Sequence, residues 1–297
     1  MSMVVVTPSH APDLASFRRL HASVLRWSDP AVRHIVAVPE IDVPLFRAGG
    51  DQRLDVVGYR GLLPREFIET TRLARLRGLP RGYRIGAVNA RRPWPPIRGW
   101  VLQQVVKLAL VSGLDDDVAL LIDSDVLAIA PLDQTVFRRG DAVRLYRLPH
   151  GVDDGMPRHR RWLTGSARLL GQDVSEADSP DYIAPFNSWA PVVVRAALER
   201  VSEVSGTPWS RTIGSSLDFS EFMLVGSFAS TKKDGRIFTS DRSLCHSHWD
   251  PHPLTLAAAQ AFVEALTPGD LAIHIQSNSA TPEDVLRWVA QRLDDQR

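Results

Sequence analysis

Val118-Ala-Leu-Leu-Ile-Asp-Ser-Asp-Val-Leu-Ala-Ile129 holds the residues whose reading decides the fold. Five apolar residues run straight into two carboxylates, Asp123 and Asp125, one residue apart. The run is bounded by Asp115-Asp116-Asp117 before it and Pro131 after it. A short apolar stretch closed at both ends in this way reads as a central parallel strand covered on both faces. In open α/β sheets, ligands bind beyond the carboxyl ends of such strands. Two carboxylates there are costly unless cations or hydrogen-bond donors meet them. Oxygen-rich ligation of this kind suits Mg²⁺ or Mn²⁺ carrying substrate phosphates.

The flanking sequence supports an α/β chain. Val4-Val5-Val6 reads as a first strand that breaks at Thr7-Pro8-Ser9-His10. Leu14, Phe17, Leu20 and Val24 then recur at helical spacing, which opens a strand–helix–strand unit. His34–Val38 and Leu54–Val57 read as the second and third strands. The sequence from Gly99 to Leu114 is a helix that is apolar nearly all round, except for a stripe of Trp100, Gln103, Gln104 and Lys107 on one face. It feeds directly into the Asp123/Asp125 strand, so Gln104 and Lys107 are candidates to face phosphate or sugar oxygens. A lysine that snorkels to solvent is the plainer alternative.

Later elements are a strand at Ala142–Leu148, then a polar stretch to about Ser179 read as a mobile or acceptor-facing insertion around a helix at 160–170. A strand is expected over Phe186–Val194. Ser220 is a helix N-cap with Glu221 in the first turn. The last third offers Leu244–Asp250, a helix near 254–266, a strand at Leu271–Gln276 and a closing helix. The expectation is one domain over 1–297, a donor-binding half at 1–130 and an acceptor-side half at 131–297.

Composition narrows the classes. The chain has 297 residues, 44% hydrophobic and 23% charged, as a globular α/β domain requires. Its formal charge is +1 from 35 basic and 34 acidic residues, so no global field argues for a nucleic-acid partner. Local basic clusters stand at Arg91–Arg98 and Arg158–Arg161. One cysteine, Cys245, excludes a disulfide framework within this sequence and any multi-cysteine zinc site, and a reducing cytoplasm is the simplest setting. Met1–Thr7 is too short an apolar run for a signal peptide, and no stretch reaches membrane-spanning length.

The mid-chain Asp-Ser-Asp at a strand end, preceded by a polar-striped helix, resembles the nucleotide-sugar-dependent glycosyltransferases of the GT-A fold, a Rossmann-like, mainly parallel sheet flanked by helices. It looks closest to a bacterial group of transferase-like proteins that share the Thr-Pro-Ser start, the Gln-x-x-x-Lys helix, a Ser-Glu-(Phe/Tyr) segment and a late Gln-Ser. The resemblance implies that Asp123 and Asp125, with Ser124 between them, hold Mn²⁺ or Mg²⁺ against the diphosphate of a nucleoside-diphosphate sugar. It implies that Thr7, Pro8, Ser9 and His10 meet base and ribose, that Lys107 faces the donor, and that Glu221 faces an unknown saccharide, lipid-linked or small-molecule acceptor. Asp218 is a nearby second carboxylate. A late histidine as third metal ligand is also implied. His246 and His248 on a short strand are the candidates, with His246 preferred, and His274 reads as a satisfied core histidine.

Three other readings compete. A haloacid-dehalogenase-type phosphatase places Thr or Val two residues past the second Asp, where this chain has Leu127. A nucleotidyltransferase carries a glycine- and arginine-rich loop after the first strand, which is missing here. A non-catalytic sugar-nucleotide-binding protein has no positive mark in the sequence.

Overall fold

A computed structural model describes residues 2–70, 85–173, 178–232 and 235–295. The buried run predicted around residue 120 is the strand Val118–Ile122, every residue of which is buried. In chain order it is β7, after β1 (Met3–Pro8), β2 (Arg33–Val38), β3 (Leu54–Gly58), β4 (Phe67–Glu69), β5 (Ile85–Asn89) and β6 (Arg92–Arg98). The central sheet has the order β11-β7-β1-β2-β3, where β11 is Phe186–Trp189. β1 pairs in parallel with both β2 and β7, and β2 with β3, while β11 runs antiparallel to β7 at the edge.

Both faces of this sheet are covered. Ile35 and Ala37 of β2 join the main apolar core, which runs from Met3 to Ala272, while Val36 and Val38 on the other face pack with Phe17 and Phe46. The Gly99–Ser112 helix lies over β1 and β2. Its all-round apolar surface is thereby explained, because it is sandwiched between the sheet and the Pro191–Ser205 helix.

Smaller sheets complete the chain. β4, β5 and β6 form an antiparallel unit, and β9 (Arg138–Arg139), β10 (Ala142–Tyr146) and β12 (Ile237–Ser240) form another sheet. A third has the order β13-β14-β8, with β8 at Val126–Ala128, β13 at Cys245–His248 and β14 at Ala272–Ile275.

Two expectations change. The strand expected over Phe186–Val194 stops at Trp189, because Pro191 opens a helix in its first turn, where a fixed φ and a missing N–H are no disadvantage. The stretch read as a mobile insertion contains the Pro157–Leu170 helix, which buries Trp162, Leu163 and Leu170 against the rest of the chain. Residues 174–177 of that stretch lie outside the described residues.

Candidate functional site

β1 sends its chain to β2 on one side, and β7 lies on its other side, so the topological switch of the sheet falls between β1 and β7. Their carboxyl ends therefore flank the crevice in which α/β sheets bind ligands. From β1 come Thr7, Pro8, Ser9 and His10. From β7 come Asp123, Ser124 and Asp125, set on a tight turn in which the Val126 N–H donates to the Asp123 carbonyl at 3.1 Å.

The two carboxylates meet different surroundings. Asp123 Oδ1 lies 3.6 Å from Lys107 Nζ, and its side chain is 39% exposed to the crevice. Burial in apolar surroundings pushes its carboxyl up, against the pull of Lys107, and the Asp125 and Glu221 charges add to the rise. Asp125 is the more enclosed. Its Oδ1 faces His274 Nε2 at 3.5 Å and its Oδ2 accepts the Ser277 N–H at 2.9 Å. Burial works against ionisation here too, but the His274 and Ser277 donors outweigh it and hold the Asp125 carboxyl low.

Lys107 does not snorkel. It is buried, donates to Glu221 Oε1 at 2.7 Å and sits 4.5 Å from the Phe222 ring centroid. Burial depresses an ammonium, yet the Glu221 and Asp123 carboxylates reverse that effect and leave it raised. Gln104, one turn earlier on the same face, accepts the Glu221 N–H through Oε1 at 3.0 Å, while its Nε2 is buried without a partner. Ser220 caps the Glu221–Thr231 helix by accepting the Met223 N–H, as its sequence position suggests.

Glu221 itself is 4% exposed and engaged by Lys107. It is placed to hold the ammonium. Asp218 is also occupied elsewhere, accepting the Trp162 indole N–H and the Arg161 Nε. Gly226 gives close approach to the Tyr182 ring, where a Cβ would lie 2.2 Å from Cγ, and not to another backbone.

At the β1 end, the Thr7 hydroxyl shares a hydrogen bond with His34 Nε2 at 2.9 Å, and the buried Ser9 hydroxyl has no partner. His10 Nδ1 lies 2.8 Å from Asp13 Oδ2, and the Ser124 hydroxyl reaches the same oxygen at 3.5 Å. Asp13 thus ties the two strand ends together, a link invisible in the sequence because residues 13 and 124 are joined only by the fold.

The three late histidines have different surroundings. β14 pairs antiparallel with β8, with His274 opposite Val126, whereas β13 lies one strand further out. That order sets His274 beside Asp125. His246 packs on Phe262 with ring centroids 4.4 Å apart, and His248 Nε2 lies 3.1 Å from the His252 carbonyl. His274 is also not satisfied, since its buried Nδ1 has no partner. Trp249 packs against it with tilted rings, centroids 4.5 Å apart, and is 53% exposed, a neighbour the sequence did not mark.

Among the described residues, no group of three His, Cys, Asp or Glu side chains is arrayed to hold a metal ion. The charge balance of the crevice nonetheless suits one. Asp123 and Glu221 share one ammonium, Lys107, Asp125 is engaged by His274 and Ser277, and the carboxylate that remains open is Asp123. No helix among the described residues is long and apolar enough to cross a membrane.

Fold and site together define an α/β protein with a cluster of carboxylates at the switch point of a mainly parallel sheet. The chain belongs to the family of unknown function DUF6492, whose model matches residues 3–264. Comparison with curated proteins finds no match. Similar solved structures include an active-site mutant of LgtC, at 17% identity and TM-score 0.48 over 99% of this chain and 94% of that one. They also include the galactosyltransferase LgtC in complex with donor and acceptor sugar analogues, at 16% identity, TM-score 0.48 and the same 99% and 94% coverage. Mouse xyloside xylosyltransferase 1, in its apo form, is similar at 10% identity and TM-score 0.47 over 95% of this chain and 100% of that one.

Proposed function

We propose that this chain is a metal-dependent glycosyltransferase of GT-A type that transfers a sugar from a nucleoside-diphosphate donor. The observation that carries the reading is the convergence, at one switch-point crevice, of Asp123 and Asp125 with His274 against one and Lys107 against the other. Asp123 and Asp125 would hold Mn²⁺ or Mg²⁺, with His274 holding the Asp125 carboxylate in place. When bound, the cation supplies electrostatic stabilisation of the charge that grows on the departing diphosphate.

The protein groups do the positioning. Ser277 and His274 fix the Asp125 carboxylate, leaving Asp123 to reach into the crevice. Glu221 and Gln104 anchor the Lys107 side chain at the rear of Asp123, so that its charge stays fixed without reorganisation. Thr7 to His10, at the neighbouring strand end, are suited by position to the nucleoside, and the unpartnered Ser9 hydroxyl provides a buried hydrogen-bonding group there.

Calorimetric titration of UDP and GDP with and without Mn²⁺ tests the site. Wild type is expected to bind one of them more tightly with the metal. Asp123→Asn, Asp125→Asn and His274→Ala should each lower the metal-dependent affinity at least about tenfold, while His246→Ala leaves it unchanged. Metal-dependent affinity that survives in both Asn variants would remove the carboxylates from the site.

A further inference from the structure

The Gly99–Ser112 helix carries a second cluster at its first turn, away from the carboxylates. Trp100 and Trp162 stack with ring centroids 5.2 Å apart, and the Arg158 guanidinium lies 4.7 Å from each ring. Trp162 is buried, and its indole N–H donates to Asp218; Trp100 remains 38% exposed. Asp218 also accepts the Arg161 Nε at 3.1 Å and lies 3.8 Å from the Arg158 Nε. The terminal nitrogens of both guanidinium groups make no hydrogen bond among the described residues, and the two side chains are 57% and 61% exposed.

This cluster stands on the same helix as Lys107. Trp100, Gln104 and Lys107 are spaced by four and three, so they share one helix face. The indole stands about 10 Å along that face from Lys107, roughly two sugar rings away from the carboxylate end. Gln104 and Lys107 both bind Glu221, three residues beyond Asp218.

The chemistry of the patch is selective. An exposed indole offers a flat apolar surface to the C–H face of a pyranose. A guanidinium stacked on aromatic rings keeps its planar fork of N–H donors free for a carboxylate or phosphate. Two arginines against one carboxylate leave the patch with a net positive charge, which a neutral sugar would leave uncompensated. The geometry points to a subsite for an acidic saccharide, its ring on Trp100 and its anionic group between Arg158 and Arg161. That this saccharide is the acceptor rests on the glycosyltransferase reading; that it binds does not.

Binding to the metal-free, donor-free full chain separates the two. The probes are cellobiose, glucuronic acid and glucose 6-phosphate, followed by tryptophan fluorescence and calorimetry. At least one acidic probe should bind saturably and at least about tenfold more tightly than cellobiose, and the one that binds better identifies carboxylate or phosphate as the recognised group. Arg158→Gln and Trp100→Ala should each weaken it by about tenfold, whereas Trp100→Phe, which keeps an aromatic surface and the local packing, should retain most of the affinity. Equal binding of cellobiose and both acids, no binding of any probe, or unchanged affinity in Arg158→Gln would overturn the inference. Failure of donor hydrolysis in a protein that still binds the acidic probe would instead overturn the glycosyltransferase reading and leave the subsite standing.

Discussion

Asp123 and Asp125 are two residues apart in number, yet they respond to acid in opposite senses. The Asp123 carboxyl is raised, so its protonated form favours the folded state below the ordinary carboxylate pKa, and that advantage is lost as pH rises through the raised value. Ionised at pH 7, it is a cost. In metal-free protein, Asp123→Asn should therefore raise the stability at pH 7 slightly, by no more than about 0.5 kcal/mol after solvent screening, with the gain vanishing below about pH 4. The Asp125 carboxyl is lowered, so it stabilises the fold above the ordinary value and ceases to do so as pH falls through the lowered one. Asp125→Asn should cost about 1 kcal/mol at neutral pH and progressively less in acid. Thermal melts of both variants between pH 3 and pH 8 check this, and changes of the same sign at pH 7 would contradict the assigned environments. Sequence reading recognised the pair, because an apolar run ending in two carboxylates is conspicuous. It had no access to their difference, which comes from burial and the neighbouring carboxylate charges at Asp123 and from the His274 and Ser277 donors at Asp125.

Between elements, the Lys107–Glu221 pair joins the Gly99–Ser112 helix to the start of the Glu221–Thr231 helix. Lys107→Met should destabilise by about 3 kcal/mol, since it strands the Glu221 charge in a buried position. The double variant Lys107→Met/Glu221→Gln should lose less than the sum of the single losses, a coupling of about 1 kcal/mol or more. Urea unfolding of the four proteins measures it, and strictly additive costs would mean the two groups do not act as a pair. The polar stripe that includes Lys107 was legible, because a lysine on an otherwise apolar helix breaks the pattern. Its partner was not, because 114 positions separate them and only packing closes that gap. The place of His274 was not legible for a related reason. Strand periodicity shows which residues alternate across β13 and β14, but strand order decides which of them borders β8, and that order placed His274 beside Asp125.

At the scale of the whole molecule, the four parallel strands β1, β2, β3 and β7 follow from patterns visible in the chain: apolar runs, a proline at or just after the end of each of the first two, and helical periodicity after the first. The antiparallel edge strand β11, the β4–β6 unit and the β13-β14-β8 sheet do not, since short strands of mixed polarity take their partners from tertiary context. What the assembled fold does is bring the ends of β1 and β7, the turn after β14 and one face of the Gly99–Ser112 helix around a single cluster of carboxylates. The measurement that tests its function most directly is hydrolysis of a panel of UDP- and GDP-sugars by the purified chain, with and without Mn²⁺, read as free nucleoside diphosphate. Release from at least one donor, dependent on Mn²⁺ and reduced at least about a hundredfold in Asp123→Asn, is the predicted result. Release that is independent of the metal and unchanged in Asp123→Asn, or no release from any donor alone or with an acidic saccharide acceptor, would contradict the assignment.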